Sequence, residues 1–213
     1  MRVLVTAGPT REHWDAVRFL SSAATGRQGI VLAEALARRG HTCDLVLGPT
    51  HLDAPADRAV TVHRVVTARD MLAAAERCWP ECDALVATAA VSDYRPAVPH
   101  AGKRTKTEGP VALELVRNPD ILATLAAGRG RRPVIGFALQ VEDAEHHARR
   151  KLEEKGLDAI VLDAPAAMGA AAADFRILAA DGTWTDLPGT TKRALAEHLV
   201  DLLESLDAAP RGG

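Results

Sequence analysis

At 213 residues the chain has the length of one large domain, able to bury roughly 70% of the surface its unfolded form exposes. Its 47% apolar and 25% charged residues are those of an ordinary globular protein. A net charge of -2 and 3% aromatic residues exclude a broad cationic nucleic-acid surface, a polybasic membrane anchor and a row of base-stacking platforms. No apolar stretch reaches the roughly 18 residues of a membrane span. The first residues enter a strand without a signal core, so a cytoplasmic protein with reduced thiols is expected.

Val3, Leu4 and Val5 form an apolar run that fits a buried strand, stopped by Gly8 and Pro9. The first convincing helical pattern, residues 28–39, comes late, after two small-residue loops at 6–10 and 21–27 that Val17-Arg18-Phe19-Leu20 ties together. Small-residue loops let backbone N–H groups approach a phosphate, and a helix N-terminus adds roughly half a positive charge. This stretch reads as an anion-binding corner, although such loops also serve as plain surface turns.

Strands are predicted at 42–47, 60–66 and 83–88, with a helix at 68–77 capped near Thr67. Residues 89–110 carry three prolines and no period, which marks a functional or disordered excursion. Residues 111–116 alternate like an edge strand. Asn118 as N-cap and Pro119 at the first helical position open a helix to about 127. A fifth strand at 134–138, a helix at 142–155, a sixth strand at 158–162, a hairpin of 175–179 with 183–187 and a helix at 190–206 complete the pattern. Strands alternating with helices imply a Rossmann-like, doubly wound, mostly parallel sheet in three α/β/α layers, with a C-terminal hairpin. One domain over 1–206 and a disordered tail at 207–213 are expected.

Ligands of open α/β sheets bind outside the carboxyl ends of the strands. The loops at 6–10, 88–95, 136–140 and after Leu162 share that address. Ala89 and Ala90 leave room for a flat ring, Asp93 can accept from an amino group or a ribose hydroxyl, and Phe137 offers a ring face. Turn capping by Asp93 and core filling by Phe137 account for the same residues. Lys103-Arg104-Thr105-Lys106 form a basic loop able to close over a triphosphate, or a solvated charge run. Lys151 and Lys155 share a helix face and can reach one anion, or belong to a salt-laced surface helix with Glu153 and Glu154.

Other chemistries lack their residues. There is no P-loop and no compact G-x-G-x-x-G after the first strand, and Tyr94 has Val98 where a short-chain reductase has lysine. His146 and His147 are adjacent and share no metal face. Ser21, Ser22 and Ser92 lack a nucleophile elbow. Cys43, Cys78 and Cys82 show neither redox nor zinc-knuckle spacing.

Taken together, VTAGPTRE (5–12), VRFL (17–20), TGRQG (25–29), AAVSDYRP (89–96), KRTK (103–106), RNPDIL (117–122), GFA (136–138) and KLEEKGLD (151–158) resemble the phosphopantothenoylcysteine synthetase (phosphopantothenate–cysteine ligase) family. The likeness runs in order over residues 2 to 205 and suits a stand-alone synthetase domain. It implies a Rossmann-like homodimer in which CTP and Mg2+ activate 4′-phosphopantothenate as an acyl-cytidylate, which L-cysteine's amine converts to an amide for coenzyme A biosynthesis. By matching motif, Gly8, Ala87, Thr88, Ala89, Asp93 and Phe137 would hold the nucleotide, with Asn118, Pro119, Asp120, Ile121, Lys151 and Lys155. Lys103 and Lys106 would act on the triphosphate, with Ser22 in the acyl-transfer region. Arg18 and Ala90 would face the acid.

The chain also departs from the family. Ser22 stands where the family carries an asparagine, Thr105 where a third lysine is common, Gln140 where an acid follows GFA, and Leu162-Asp163-Ala164 where Ala-Asn-Asp is usual. Two alternatives therefore stand: a paralogous ligase for another acid or amine, and a non-catalytic nucleotide-binding module. A nicotinamide-dependent reductase would share the fold but not these motifs.

Overall fold

The computed structural model describes residues 1–106, 108–139, 143–163, 170 and 172–208. In chain order the elements are β1 (Arg2–Ala7), β2 (Glu12–His13), β3 (Phe19–Leu20), α1 (Arg27–Arg38), β4 (Thr42–Leu47), β5 (Val60–Arg64), α2 (Ala68–Cys78) and β6 (Ala84–Ala87). There follow β7 (Tyr94–Pro96), β8 (Leu115–Arg117), α3 (Ile121–Ala127), β9 (Val134–Leu139), α4 (Ala144–Glu154), β10 (Ala159–Asp163), β11 (Ala172–Ala179), β12 (Trp184–Thr191) and α5 (Lys192–Ala208).

Eight strands form the main sheet in the order β12-β11-β10-β9-β6-β1-β4-β5. The six from β10 to β5 are parallel, and β11 and β12 extend the sheet as an antiparallel hairpin. The chain winds outward from β1 to β5, then resumes at β6 on the other side of β1. That reversal makes the crevice between the carboxyl ends of β1 and β6 the expected ligand position.

The apolar run at the start of the sequence explains the layers. Successive strand residues point to opposite faces. Val3 and Val5 belong to the core shared with α1 and α5, while Leu4 belongs to the core on the other face with α2, α3 and α4, and all three are fully buried. With both faces of β1 covered, Val3, Leu4 and Val5 are apolar in succession and show no alternation. Helix α2 starts where Thr67 and Asp70 cap one another: the Asp70 N–H donates to Thr67 Oγ1 at 3.1 Å and the Thr67 N–H to Asp70 Oδ2 at 2.9 Å.

Gly29 sets how closely α1 covers β1. A Cβ there would lie 2.3 Å from the Ala7 Cβ and 2.7 Å from Thr88 Oγ1. The Gly29→Ala protein is expected to lose about 2 kcal/mol of stability, because helix and strand must separate to admit the methyl group. Urea denaturation of the two proteins measures it.

Several boundaries differ from the sequence reading. Of the expected edge strand at 111–116 only residues 115 and 116 are extended, and with 117 they pair antiparallel with β7 in a ribbon apart from the main sheet. The excursion at 89–110 therefore contains a strand, which Pro96 and its short length hid from any periodicity. Asn118 is not the N-cap of α3, nor is Pro119 its first residue: the helix begins at Ile121, and Asp120 Oδ1 accepts the Ala123 N–H at 3.0 Å. The hairpin runs longer than expected, with a register shift between Ala173 and Phe175. Residues 190 and 191 consequently belong to β12, and α5 continues through 208, so 207 and 208 are helical rather than tail. Residues 209–213, Gln140, Ala164 and the expected helix start at 142 lie outside the described residues.

Candidate active site

Three loops meet at the carboxyl edge of the sheet. After β1, Gly8 turns the chain at φ +81°, a conformation that glycine adopts without a Cβ penalty. Its carbonyl accepts the Ala90 N–H at 3.0 Å, and the Thr6 carbonyl accepts both the N–H (2.9 Å) and the Oγ1 hydroxyl (2.8 Å) of Thr88. These bonds fasten the loop after β6 to the loop after β1. The fully buried Thr10 continues the seam, accepting the Ser92 N–H at 3.0 Å through Oγ1 and the Ser21 hydroxyl at 2.7 Å through its carbonyl.

Asn118 closes the far side. Its Nδ2 donates to the Ser92 carbonyl at 2.8 Å, its N–H donates to the Asp93 carbonyl at 2.8 Å, and its Oδ1 accepts from Arg95 Nη1 at 3.1 Å. The amide that resembled a helix cap is a clamp between the 88–95 loop and β8. Between these walls lies a cleft of about 660 Å³. Ser22, Ala87, Ala89, Ala90, Asp93, Asn118, Pro119, Asp120, Ile121, Phe137, Lys151 and Lys155 all line it. Gly8 and Thr88 line a smaller neighbouring cavity of about 150 Å³, beside Gly26–Gly29 at the start of α1. Ala89, Ala90, Phe137 and Leu139 wall both cavities.

The charges are paired across the larger cleft. Lys155 Nζ lies 2.7 Å from Asp120 Oδ2. Burial opposes ionisation of Asp120, yet Lys155, the Ala123 N–H and Lys151 together hold its carboxyl below the usual range. Lys151 is pushed below the ordinary lysine value, first by burial and then by the charge of Lys155. Two cations four residues apart, one partly desolvated, favour an incoming anion.

Arg18, Lys103 and Lys106 lie outside this cleft. The basic loop packs on the segment after β2: the His100 N–H donates to the Trp14 carbonyl at 3.0 Å, the Ala16 N–H to the Gly102 carbonyl at 3.4 Å, and the Arg104 N–H to Asp15 Oδ2 at 3.2 Å. Lys103 and Lys106 are exposed. Arg18 Nη1 lies 3.3 Å from Asp15 Oδ2, with the guanidinium 5.3 Å from the Trp14 ring centre.

The sequence reading missed Asp15. Fully buried, it also accepts the Val17 N–H at 2.8 Å and the Arg18 N–H at 2.7 Å. Its carboxyl is held below the ordinary value chiefly by the Val17 N–H, against burial, with the N–H groups of Arg18 and Arg104 and the Arg18 charge adding to it. Asp followed by two N–H donors is an Asx-turn signal. Glu12, also buried, caps the first turn of α2 by accepting the Ala68 N–H at 2.8 Å.

Comparison with known proteins agrees with this architecture. The family model described as the DNA/pantothenate metabolism flavoprotein C-terminal domain matches residues 1–206. The coenzyme A biosynthesis bifunctional protein CoaBC of Bacillus subtilis is 37% identical over 208 residues, 96% of this chain and 51% of that protein. The chain thus spans about half the length of the curated relatives it matches first. The crystal structure of the C-terminal domain of a CoaBC protein superimposes with a TM-score of 0.83 at 35% identity, covering 96% of this chain and 94% of that one. A Cab2 mutant in complex with phosphopantothenate-cysteine shares the fold at a TM-score of 0.76 and 14% identity, over 98% of this chain and 88% of that one. The chain belongs to the DNA/pantothenate metabolism flavoprotein C-terminal domain family, the phosphopantothenoylcysteine synthetase family that its motifs resemble.

Proposed function

We propose that this chain is a CTP-dependent acid–amine ligase that joins 4′-phosphopantothenate to L-cysteine in coenzyme A biosynthesis. In the first step a carboxylate oxygen of the acid attacks the α-phosphorus of CTP, and pyrophosphate leaves. In the second, the cysteine amine adds to the acyl carbon, CMP departs with the bonding pair, and the amine proton passes to solvent. The observation that carries this reading is the convergence of Asp93, Asn118, Asp120, Lys151 and Lys155 on one cleft at the switch point of the sheet.

Phe137 and Ala89 supply apolar walls for a pyrimidine, and Asp93 an acceptor for its amino group or for ribose. Lys151 and Lys155 neutralise phosphate charge, and Lys103 and Lys106 reach the triphosphate when the basic loop moves over the cleft. Arg18 and Ala90 meet the acid, and Ser22 lies beside the acyl group. Asp120 is paired with Lys155, and among the described residues no group of three or more Asp, Glu, His or Cys ligands gathers at the cleft. Mg2+ would be held here by the oxygens of the triphosphate, the usual mode at nucleotide sites, and would supply charge neutralisation.

The exposed apolar residues Val17, Phe19, Tyr94, Val98, Val111 and Leu115 gather on the β2–β3 hairpin, the β7–β8 ribbon and the chain beside it, and support a homodimer through that face. Light scattering at twice the monomer mass tests it.

Incubation with CTP, Mg2+, 4′-phosphopantothenate and cysteine is expected to release CMP and pyrophosphate and to form phosphopantothenoylcysteine. CTP binding without CMP release would overturn the ligase reading. Release with a different acid alone would favour a paralogous ligase. Ser22, one hydroxyl in place of an amide's donor and acceptor, is what favours these second readings, and Ser22→Asn would then raise turnover. In the Lys155→Ala protein CTP binding is expected to weaken by about ten- to hundredfold, from loss of one charge-assisted contact; calorimetry checks this.

A further inference from the structure

A second constellation lies on the opposite side of the fold. Arg2 opens β1, Cys78 ends α2 and Cys82 precedes β6, so their cluster sits toward the amino ends of the strands, away from the cleft. Around Asp44 on β4, His63 Nε2 lies 2.8 Å from Oδ1, Arg2 Nε 2.6 Å from Oδ2 and Cys82 Sγ 3.8 Å from Oδ2. Cys78 Sγ is 3.5 Å from His63 Nε2. The Asp44, His63 and Cys78 ligand atoms all fall within 4.8 Å of one another.

We propose that Asp44, His63 and Cys78 bind one Zn2+ ion that staples α2 to strands β4 and β5. The donor set is one that zinc accepts: thiolate, imidazole and carboxylate. Bond lengths of about 2.3 Å to sulfur and 2.0 Å to nitrogen at a tetrahedral angle require an S···N separation of about 3.5 Å. The Cys78–His63 pair already has that spacing. The Asp44–His63 pair must open by about 0.5 Å to reach the corresponding O···N value.

Charge supports the same reading. One thiolate and one carboxylate carry two negative charges, which match Zn2+, while Arg2 keeps its contact with Asp44 Oδ2. The His63 side chain is 30% exposed and gives the ion a way in.

The test uses the full chain, stripped with a chelator, dialysed against zinc and washed. Elemental analysis is expected to find one zinc per chain, and Co2+ substitution to give tetrahedral d–d bands with a thiolate charge-transfer band. His63→Ala and Cys78→Ser should each lower the metal content about tenfold or more, while Cys43→Ala, whose buried thiol lies on the other face of the sheet, should retain it. Because a variant at a buried cluster can misfold, zinc-edge absorption spectroscopy of the unmodified protein provides an independent reading, with sulfur in the first coordination sphere. Less than about a tenth of an equivalent of zinc, metal retained in both variants, or a sphere of oxygen and nitrogen alone would overturn the proposal.

Discussion

Replacing Lys103 by alanine is expected to lower turnover by about 10²- to 10³-fold and to change the Kd for CTP by no more than about threefold. The separation follows from where Lys103 sits. It is exposed on the basic loop, outside the cleft that Lys151 and Lys155 line, so it adds little to resting nucleotide affinity. In the proposed reaction it acts when the loop covers the triphosphate and negative charge builds on the leaving pyrophosphate. Removing one group aimed at developing charge costs other enzymes a rate factor of this size. Steady-state CMP release and calorimetry with CTP, run side by side, measure the two quantities. Unchanged turnover would remove Lys103 from the mechanism. A Kd that rises in step with the loss of rate would make it a binding residue instead.

The second large effect is expected at Asp15. One fully buried carboxylate accepts N–H groups from Val17, Arg18 and Arg104 and lies beside the Arg18 guanidinium. It therefore holds the turn between β2 and β3 and anchors the basic loop to it. Asp15→Ala leaves three backbone donors without their acceptor, and is expected to lower Tm by about 10 °C. Turnover should also fall, because Arg104 is the neighbour of Lys103 and the loop loses its tether. The carboxyl is held below its ordinary value in the folded chain, so its contribution is complete above the unfolded carboxylate pKa of about 3.9 and disappears as pH falls through the folded value. Thermal scans from pH 7 to pH 3 should show a steeper acid loss for the unmodified protein than for Asp15→Asn. Parallel slopes would contradict the role assigned to Asp15.

The parts of the fold that were legible are those where local pattern and tertiary burial agree. Val3-Leu4-Val5 read as a buried strand because both of its faces are covered. Thr67 read as a cap because its partner Asp70 is three residues away. Two features carried no such pattern. The β7 piece is three residues long, too short for any period to show, and the alternation read at 111–116 overlaps β8 at residues 115 and 116 alone. Asn118 and Asp120 are both good caps on either side of Pro119, and the choice fell to Asp120 because Asn118 is engaged with Ser92 and Arg95.

The site divides in the same way. Asp93, Phe137, Lys151 and Lys155 were legible because strand ends and helix faces place side chains predictably, and the structure gathers them in one cleft. The docking of the basic loop was not, since it depends on Asp15, some 90 residues from Arg104. The cluster of Asp44, His63 and Cys78 was invisible for a related reason. Cys78 and Cys82 lack metal spacing by themselves, and Asp44 and His63 arrive from two other strands.

The central claim is that a pyrimidine nucleotide occupies the cleft at the carboxyl edge of the sheet. A crystal structure of the protein soaked with CTP and Mg2+ tests it most directly. The expected density places the base between Ala89 and Phe137, with Asp93 in hydrogen-bonding reach and the phosphates against Lys151 and Lys155. A cleft left vacant at saturating CTP, or a nucleotide bound anywhere else on the chain, would contradict it.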